Sequence, residues 1–330
     1  MRSFLRQAFV LASLSVPLAV TACGSSDDGG ATASQAALSA TPPSAIKTVF
    51  VIMMENHSWA TIKDAGDSAS YINRTLVPMG AHAEQYSTPP GVHPSEPNYI
   101  WLEAGDSLGI SSDDPPSANH RATKDHLTAQ LEAKNIPWKA YAEDAPGDRC
   151  PLTSSGSFDP KHTPQLFFDD VTDKNDPHSQ HCKDHVRPYS EFAHDLTANT
   201  VARYNFITPN LCNDMHGEVS FSCPFIVDDL VESGDNWLKA EIPKILDSAA
   251  YKDNGVIFLL WDEGDESLFS DAADGPIGMI AISPLAKKNY ASQTKFTHSS
   301  MFRTLQTIFQ VPLLNGAKTS NDLSEMFTSF

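Results

Sequence analysis

The sequence predicts an α/β fold, a three-layer sandwich in which helices cover both faces of a central, mostly parallel sheet. Two observations carry this expectation. Thr48–Met54, Ala202–Thr208, Val256–Trp261 and Ile277–Ser283 are short β-rich runs that are apolar in succession rather than in alternation, as strands buried on both faces must be. Helix-like stretches lie between and after them at 124–134, 236–248 and 299–309. The last places Met301, Phe302, Leu305, Ile308 and Phe309 on one face, the stripe of a helix packed on a core.

The amino-terminal segment stands outside that fold. Arg2 and Arg6 precede an apolar run from Ala8 to Val20, followed by Val20-Thr21-Ala22-Cys23, the order of a secretory signal peptide. The run is shorter than the about 20 apolar residues needed to cross a bilayer. Val-Thr-Ala-Cys resembles the bacterial lipobox, so residues 1–22 are expected to be removed and Cys23 acylated, which anchors the protein to a membrane of the cell envelope. Ordinary cleavage and secretion is the alternative. Residues 23–45 form the expected tether, because Gly24–Ser44 is rich in Ser, Gly, Ala, Asp and Thr and lacks apolar periodicity. Residues 46–330 are read as one large catalytic domain.

The chain carries 23 Lys and Arg against 41 Asp and Glu, a net charge of −18, which argues against a nucleic-acid partner. An acidic protein that handles phosphate needs locally concentrated positive charge, and bound cations with histidines supply it. Of the five cysteines, Cys23 is assigned to lipid, which leaves Cys150, Cys182, Cys212 and Cys223. An even number in an exported chain points to two disulfides. Three pairings are open; Cys150 with Cys182 and Cys212 with Cys223 is favoured because each closes a local loop. A zinc site from the same four lacks a close Cys-x-x-Cys pair.

Ligands of open α/β sheets sit beyond the carboxyl ends of the strands, and the residues there are rich in metal-ligand types. Thr48–Met54 leads into Glu55-Asn56-His57-Ser58, Ala202–Thr208 into Pro209-Asn210 and Asp214-Met215-His216, and Val256–Trp261 into Asp262-Glu263-Gly264-Asp265. Glu55, Asn56, Asp262 and Glu263 are hard oxygen donors suited to a divalent cation, and Asp214 with His216 adds a borderline site. Taken singly, each acidic pair reads as a solvated turn or helix cap; the recurrence at three strand ends favours a site.

His93-Pro94-Ser95-Glu96-Pro97-Asn98-Tyr99 reads as a loop that delivers Ser95 to the start of a helix, with Pro97 in the first turn. Ser95 is then either an ordinary N-cap or a nucleophile whose hydroxyl is acidified by the helix dipole and a cation. Asn98, one turn on, is positioned to donate an amide N–H to a phosphate oxygen. Tyr99 stands where the sulfatase motif requires Arg, which disfavours formylglycine formation.

These segments, with Trp138–Asp144 and Thr297-His298-Ser299, occur in the order of one family. From about Ile46 to Pro312 the chain resembles the bacterial acid phosphatase and phospholipase C phosphoesterases of the alkaline-phosphatase superfamily, and most of all their short secreted acid phosphatases of the phosphatidylinositol-3-phosphatase type. The resemblance implies an alkaline-phosphatase-like fold, Ser95 as nucleophile and metal contact, and a divalent metal on Glu55, Asn56, Asp262 and Glu263. It makes His216 and His298 phosphate or second-metal ligands, with Asp214 beside them. Gly217 departs from the family, whose members often carry an acid there. Lys161-His162-Thr163-Pro164 matches a family Lys-His-x-Pro element only in part, which leaves His162 an outlying candidate.

The expected activity is hydrolysis of phosphate monoesters, phosphoinositides among them, through a phosphoserine on Ser95, with one or two metal ions and with His216 or His298 protonating the leaving group. Phospholipase C or another phosphodiesterase is the alternative, disfavoured by the short chain. A non-catalytic phosphate-binding lipoprotein is the more distant one.

Overall fold

The computed structural model describes residues 44–217, 229–265 and 274–330. The expected signal peptide, Cys23 and nearly all of the tether lie outside the described residues, as does Cys223 of the second expected disulfide.

The described strands are β1 (Thr48–Met54), β2 (Ala81–Ser87), β3 (Trp138–Ala142), β4 (Val186–Pro188), β5 (Tyr204–Thr208), β6 (Gly255–Trp261), β7 (Met279–Ile282) and β8 (Tyr290–Thr297). They form one eight-stranded sheet in the order β4-β3-β5-β1-β6-β7-β2-β8. All neighbours pair in parallel except β7, which runs antiparallel to both β6 and β2. The fold is therefore the expected α/β sandwich on a mostly parallel sheet. Every residue of β5 and β6, and all of β1 after Thr48, is buried, so helices and loops cover both faces.

Ile277–Ser283, expected as a parallel strand, is the antiparallel β7. An unbroken apolar run reports burial on two faces and is blind to strand direction. The run-based reading passed over β2, β3, β4 and β8, whose sequences mix polar and apolar residues. At the sheet edge β8 alternates between buried and accessible positions, as a strand with one covered face does.

The helix expected at 299–309 spans His298–Phe309, opened by a capping box between Thr297 and Ser300. That expected at 236–248 begins earlier, as Leu230–Asp247, because Asp229 caps it by accepting from the Glu232 N–H at 3.0 Å. That at 124–134 is shorter, Leu127–Ala133. The Ser95–Ala104 helix lies against the His298 helix, and Trp101 Nε1 donates to Ser299 Oγ at 2.7 Å. It stops at Gly105 (φ +71°), where a Cβ would meet the Phe302 ring at 2.6 Å; only glycine satisfies both conditions.

Candidate active site

Strands β5, β1 and β6 are consecutive in the sheet and parallel, so the loops at their carboxyl ends are neighbours in space. Backbone hydrogen bonds join them: Glu55 N–H donates to Asp214 O at 2.8 Å and Asp262 N–H to Met54 O at 3.0 Å. Asn56 turns the chain out of β1 with φ +47°, a left-handed conformation that asparagine tolerates, and its N–H donates to Asp262 Oδ1 at 2.9 Å. Asp214, Glu55, Asp262 and Glu263 are thereby gathered, and none is more than 1% exposed.

The loop after β2 brings Ser95 to this cluster. Ser95 is the first helical residue and makes no N-cap bond, so the cap reading does not describe it. Its hydroxyl donates to Glu55 Oε2 at 3.0 Å and lies 3.4 Å from Glu263 Oε1. The other Glu55 oxygen accepts from the Tyr99 hydroxyl. Ser95 and Tyr99 are four residues apart in one helix, hence on one face, and both are aimed at the same carboxylate.

Three further expected side chains have protein partners. Asn98 Nδ2 donates to Val92 O at 2.9 Å and Pro94 O at 3.3 Å and lies 3.4 Å from Glu263 Oε2, so its amide links the loop that carries Ser95 to the carboxylate cluster. His298 Nε2 donates to Asp262 O at 2.6 Å and Nδ1 accepts from the Tyr86 hydroxyl at 3.0 Å. Both nitrogens are engaged, and burial pushes its pKa down to about 4, which favours the neutral ring. His216 Nδ1 donates to Gly217 O at 2.6 Å, and Nε2 stands 3.5 Å from Lys161 Nζ.

The structure adds residues that sequence reasoning missed or ranked low. His162 is buried between two acids, with Nε2 3.2 Å from Glu55 Oε1 and Nδ1 3.3 Å from Asp214 Oδ2, and its ring stacks on Tyr99 at 5.0 Å. Lys161 faces Asp113 at 3.0 Å; burial works against its charge, yet Glu55 and Asp113 hold its pKa up at about 12. His93 bridges Glu263 (2.5 Å) and Asp274 (2.9 Å). Burial opposes the His93 imidazolium, but these two bonds raise its pKa above the ordinary value. Lys161-His162 and His93 each sit in a segment already quoted above. What was missing was any periodic or strand-end signal to separate them from surface residues.

Burial raises the carboxyls of Glu55, Asp214 and Asp262 well above the usual range, and neighbouring acids add to the rise: Asp214 for Glu55, Asp262 for Asp214, and Glu55 for Asp262. Burial pushes His162 down, and Lys161 and His216 push it further. Four buried carboxylates face few cations, and such a group is stable only with protons or a metal ion among its members. Among the described residues, Asn56 Oδ1, Asp214 Oδ2 and Asp262 Oδ2 are buried without a hydrogen-bond partner. These are hard oxygen donors in a confined space, which fits a divalent cation.

A buried serine and a carboxylate cluster at the carboxyl edge of a mostly parallel sheet define the alkaline-phosphatase type of α/β architecture. Among solved structures the chain is similar to an alkaline phosphatase superfamily protein from Vibrio parahaemolyticus (TM-score 0.55, 9% identity, 86% of this chain and 73% of that one). It is also similar to human ectonucleotide pyrophosphatase/phosphodiesterase 5 (TM-score 0.55, 10% identity, 86% of this chain and 100% of that one). Residues 83–312 match the family model described as Phosphoesterase family, and the chain belongs to that family. It is 28% identical to a phosphate-repressible acid phosphatase of Penicillium chrysogenum over 67% of this chain and 50% of the relative. It is 25% identical to a phosphatidylinositol-3-phosphatase of Mycobacterium tuberculosis over 84% and 82%. The chain thus spans about half the length of the fungal relative. Among the described residues no helix is long and apolar enough to cross a membrane.

Proposed function

We propose that this protein is a metal-dependent phosphomonoesterase of the acid phosphatase type that works through a phosphoserine on Ser95. The observation that carries the reading is the hydrogen bond from Ser95 Oγ to Glu55 Oε2 at 3.0 Å, made at the first turn of a ten-residue helix inside a buried carboxylate cluster. The names of the Penicillium and Mycobacterium relatives support hydrolysis of a phosphate monoester.

Glu55, Asn56, Asp262 and Glu263 would hold the cation, with Ser95 as a further contact and Asp214 beside them. Bound there, a divalent ion supplies charge that acidifies the serine hydroxyl and offsets the negative phosphoryl oxygens. Ser95 Oγ attacks phosphorus in line and its proton passes to the carboxylate it already faces. The helix amino terminus favours the negative charge on Oγ. Lys161 faces the incoming phosphate, and His216 protonates the departing alkoxide. Water then cleaves the Ser95–phosphorus bond, which restores the serine and releases phosphate. Tyr99 and His162 hold Glu55, His298 holds Asp262, and Asn98 fixes the loop that carries Ser95.

Lipidation of Cys23 on an exported chain would bring this site to phosphorylated head groups at a membrane surface, phosphoinositides included; a Cys23→Ala chain should then leave the membrane fraction. Ser95→Ala tests the chemistry. It should remove hydrolysis of p-nitrophenyl phosphate, and full activity in that variant would sink the assignment. Wild-type enzyme should release inorganic phosphate from monoesters faster than it releases phosphocholine from phosphatidylcholine; the reverse order would make it a phospholipase C.

A further inference from the structure

At the opposite edge of the sheet, where β3 begins, three side chains converge. Glu132 lies near the end of the Leu127–Ala133 helix, and His181 and His185 lie one turn apart on the short helix Gln180–His185. One carboxylate oxygen and one ring nitrogen from each histidine lie within 4.8 Å of one another. We propose that Glu132, His181 and His185 form a second metal site, selective for a borderline divalent ion such as Zn²⁺ and separate from the carboxylate cluster at Ser95.

The histidines are prepared for this role by their other nitrogens. His181 Nδ1 donates to Asp170 O and His185 Nδ1 to His181 O, each at 2.9 Å. A backbone carbonyl on Nδ1 fixes the ring and its tautomer and turns Nε2 into the ligand atom, as is usual for metal-bound histidine. His181 Nε2 already points at Glu132 Oε1, 2.7 Å away. Spacing two histidines four residues apart on a helix puts both on one face.

The frame around the three ligands is rigid. The Gln180–His185 helix is capped by Ser179, whose oxygen accepts from Cys182 N–H at 3.1 Å, and Cys182 is joined to Cys150 by a disulfide. His185 stacks on Trp138 with ring centroids 4.4 Å apart, and Trp138 Nε1 donates to Glu132 Oε1 at 2.9 Å. Among the described residues both bonds to Glu132 therefore fall on Oε1, which leaves Oε2 for a cation. On binding, His181 Nε2 exchanges its 2.7 Å bond to Glu132 Oε1 for the ion and comes to lie about 3.3 Å from the ligating Oε2, as a tetrahedral ion with bonds near 2.0–2.1 Å requires. Glu132 and His181 are each about one-third exposed, so that adjustment meets little packing and water completes the coordination.

The test titrates chelator-stripped full-length protein with Zn²⁺ by calorimetry near neutral pH, with the disulfide intact. Wild type should take up one equivalent more than the His181→Asn/His185→Asn variant. Asp262→Asn/Glu263→Gln protein, altered at the other cluster, should keep that equivalent. Zn²⁺ should raise the thermal midpoint of this second variant by the mass-action effect and leave that of the histidine variant unmoved. Should the histidine variant fold poorly by circular dichroism, Glu132→Gln replaces it and should lower the affinity at least ~10-fold. Equal Zn²⁺ uptake by wild type and a folded variant overturns the proposal.

Discussion

Ser95 and Glu55, forty positions apart in the chain, meet at 3.0 Å because one begins a helix after β2 and the other directly follows β1. The Glu55 carboxylate is shared: Oε2 accepts from Ser95 and Oε1 from Tyr99. Tyr99 therefore sets the orientation of the oxygen that faces Ser95.

Tyr99→Phe removes one donor and leaves Glu55 Oε1 buried with His162 alone beside it. The loss of a buried partner costs about 1–3 kcal/mol, read as a lower urea midpoint of metal-free protein. Turnover of p-nitrophenyl phosphate should fall about 10-fold with KM little changed, since the orientation of Glu55 matters most as the serine attacks. An unchanged kcat would remove Tyr99 from the positioning role.

Metal removal should reverse the usual effect of pH on stability. Glu55, Asp214 and Asp262 have folded pKa values well above their unfolded ones, chiefly through burial. The folded chain then binds more protons than the unfolded chain, and its stability falls as pH rises above about 4. Chelated protein should melt at a lower temperature at pH near ~8 than near ~5, and restoring the divalent ion should flatten that slope and recover activity. A metal-free midpoint that climbs over this range would contradict the electrostatics of the site.

His93 adds to that slope at higher pH. Its pKa is raised by Glu263 and Asp274 against the effect of burial, so its stabilisation is complete below about 6.5 and is lost as pH climbs through the folded value. His93→Gln should lower the thermal midpoint most at mildly acidic pH and least at alkaline pH. Because His93 holds Glu263 at 2.5 Å, the same variant should weaken binding of the divalent ion proposed at the carboxylate cluster by about 10–100-fold, measured by competition with a chelator.

The disulfide between Cys150 and Cys182 spans 32 residues. Chain-entropy arguments for a loop of that length give about 3–4 kcal/mol. Cys150→Ala/Cys182→Ala protein should show that loss in denaturant unfolding, together with weaker Zn²⁺ uptake at His181 and His185.

The carboxylate cluster was legible in the linear chain because it follows three apolar runs whose ends must face one way in a parallel sheet. Glu55, Asn56, Asp214, Asp262 and Glu263 could be read from β1, β5 and β6 alone, and Ser95 from its place before Pro97. His162, Lys161 and His93 could not, since they sit on irregular segments whose course depends on what they pack against.

By itself the sequence determined the α/β class, the buried central strands, the strand-end acids and the serine at a helix start, all set by local pattern, and it favoured Cys150 with Cys182 among three open pairings. Only the tertiary structure decided the direction of β7, the cysteine pairing, the partners of His298 and Asn98, and the meeting of Glu132 with His181 and His185. The physical reason is common to these: a strand's direction and a side chain's partner are fixed by contacts between residues far apart in the chain, which periodicity does not encode.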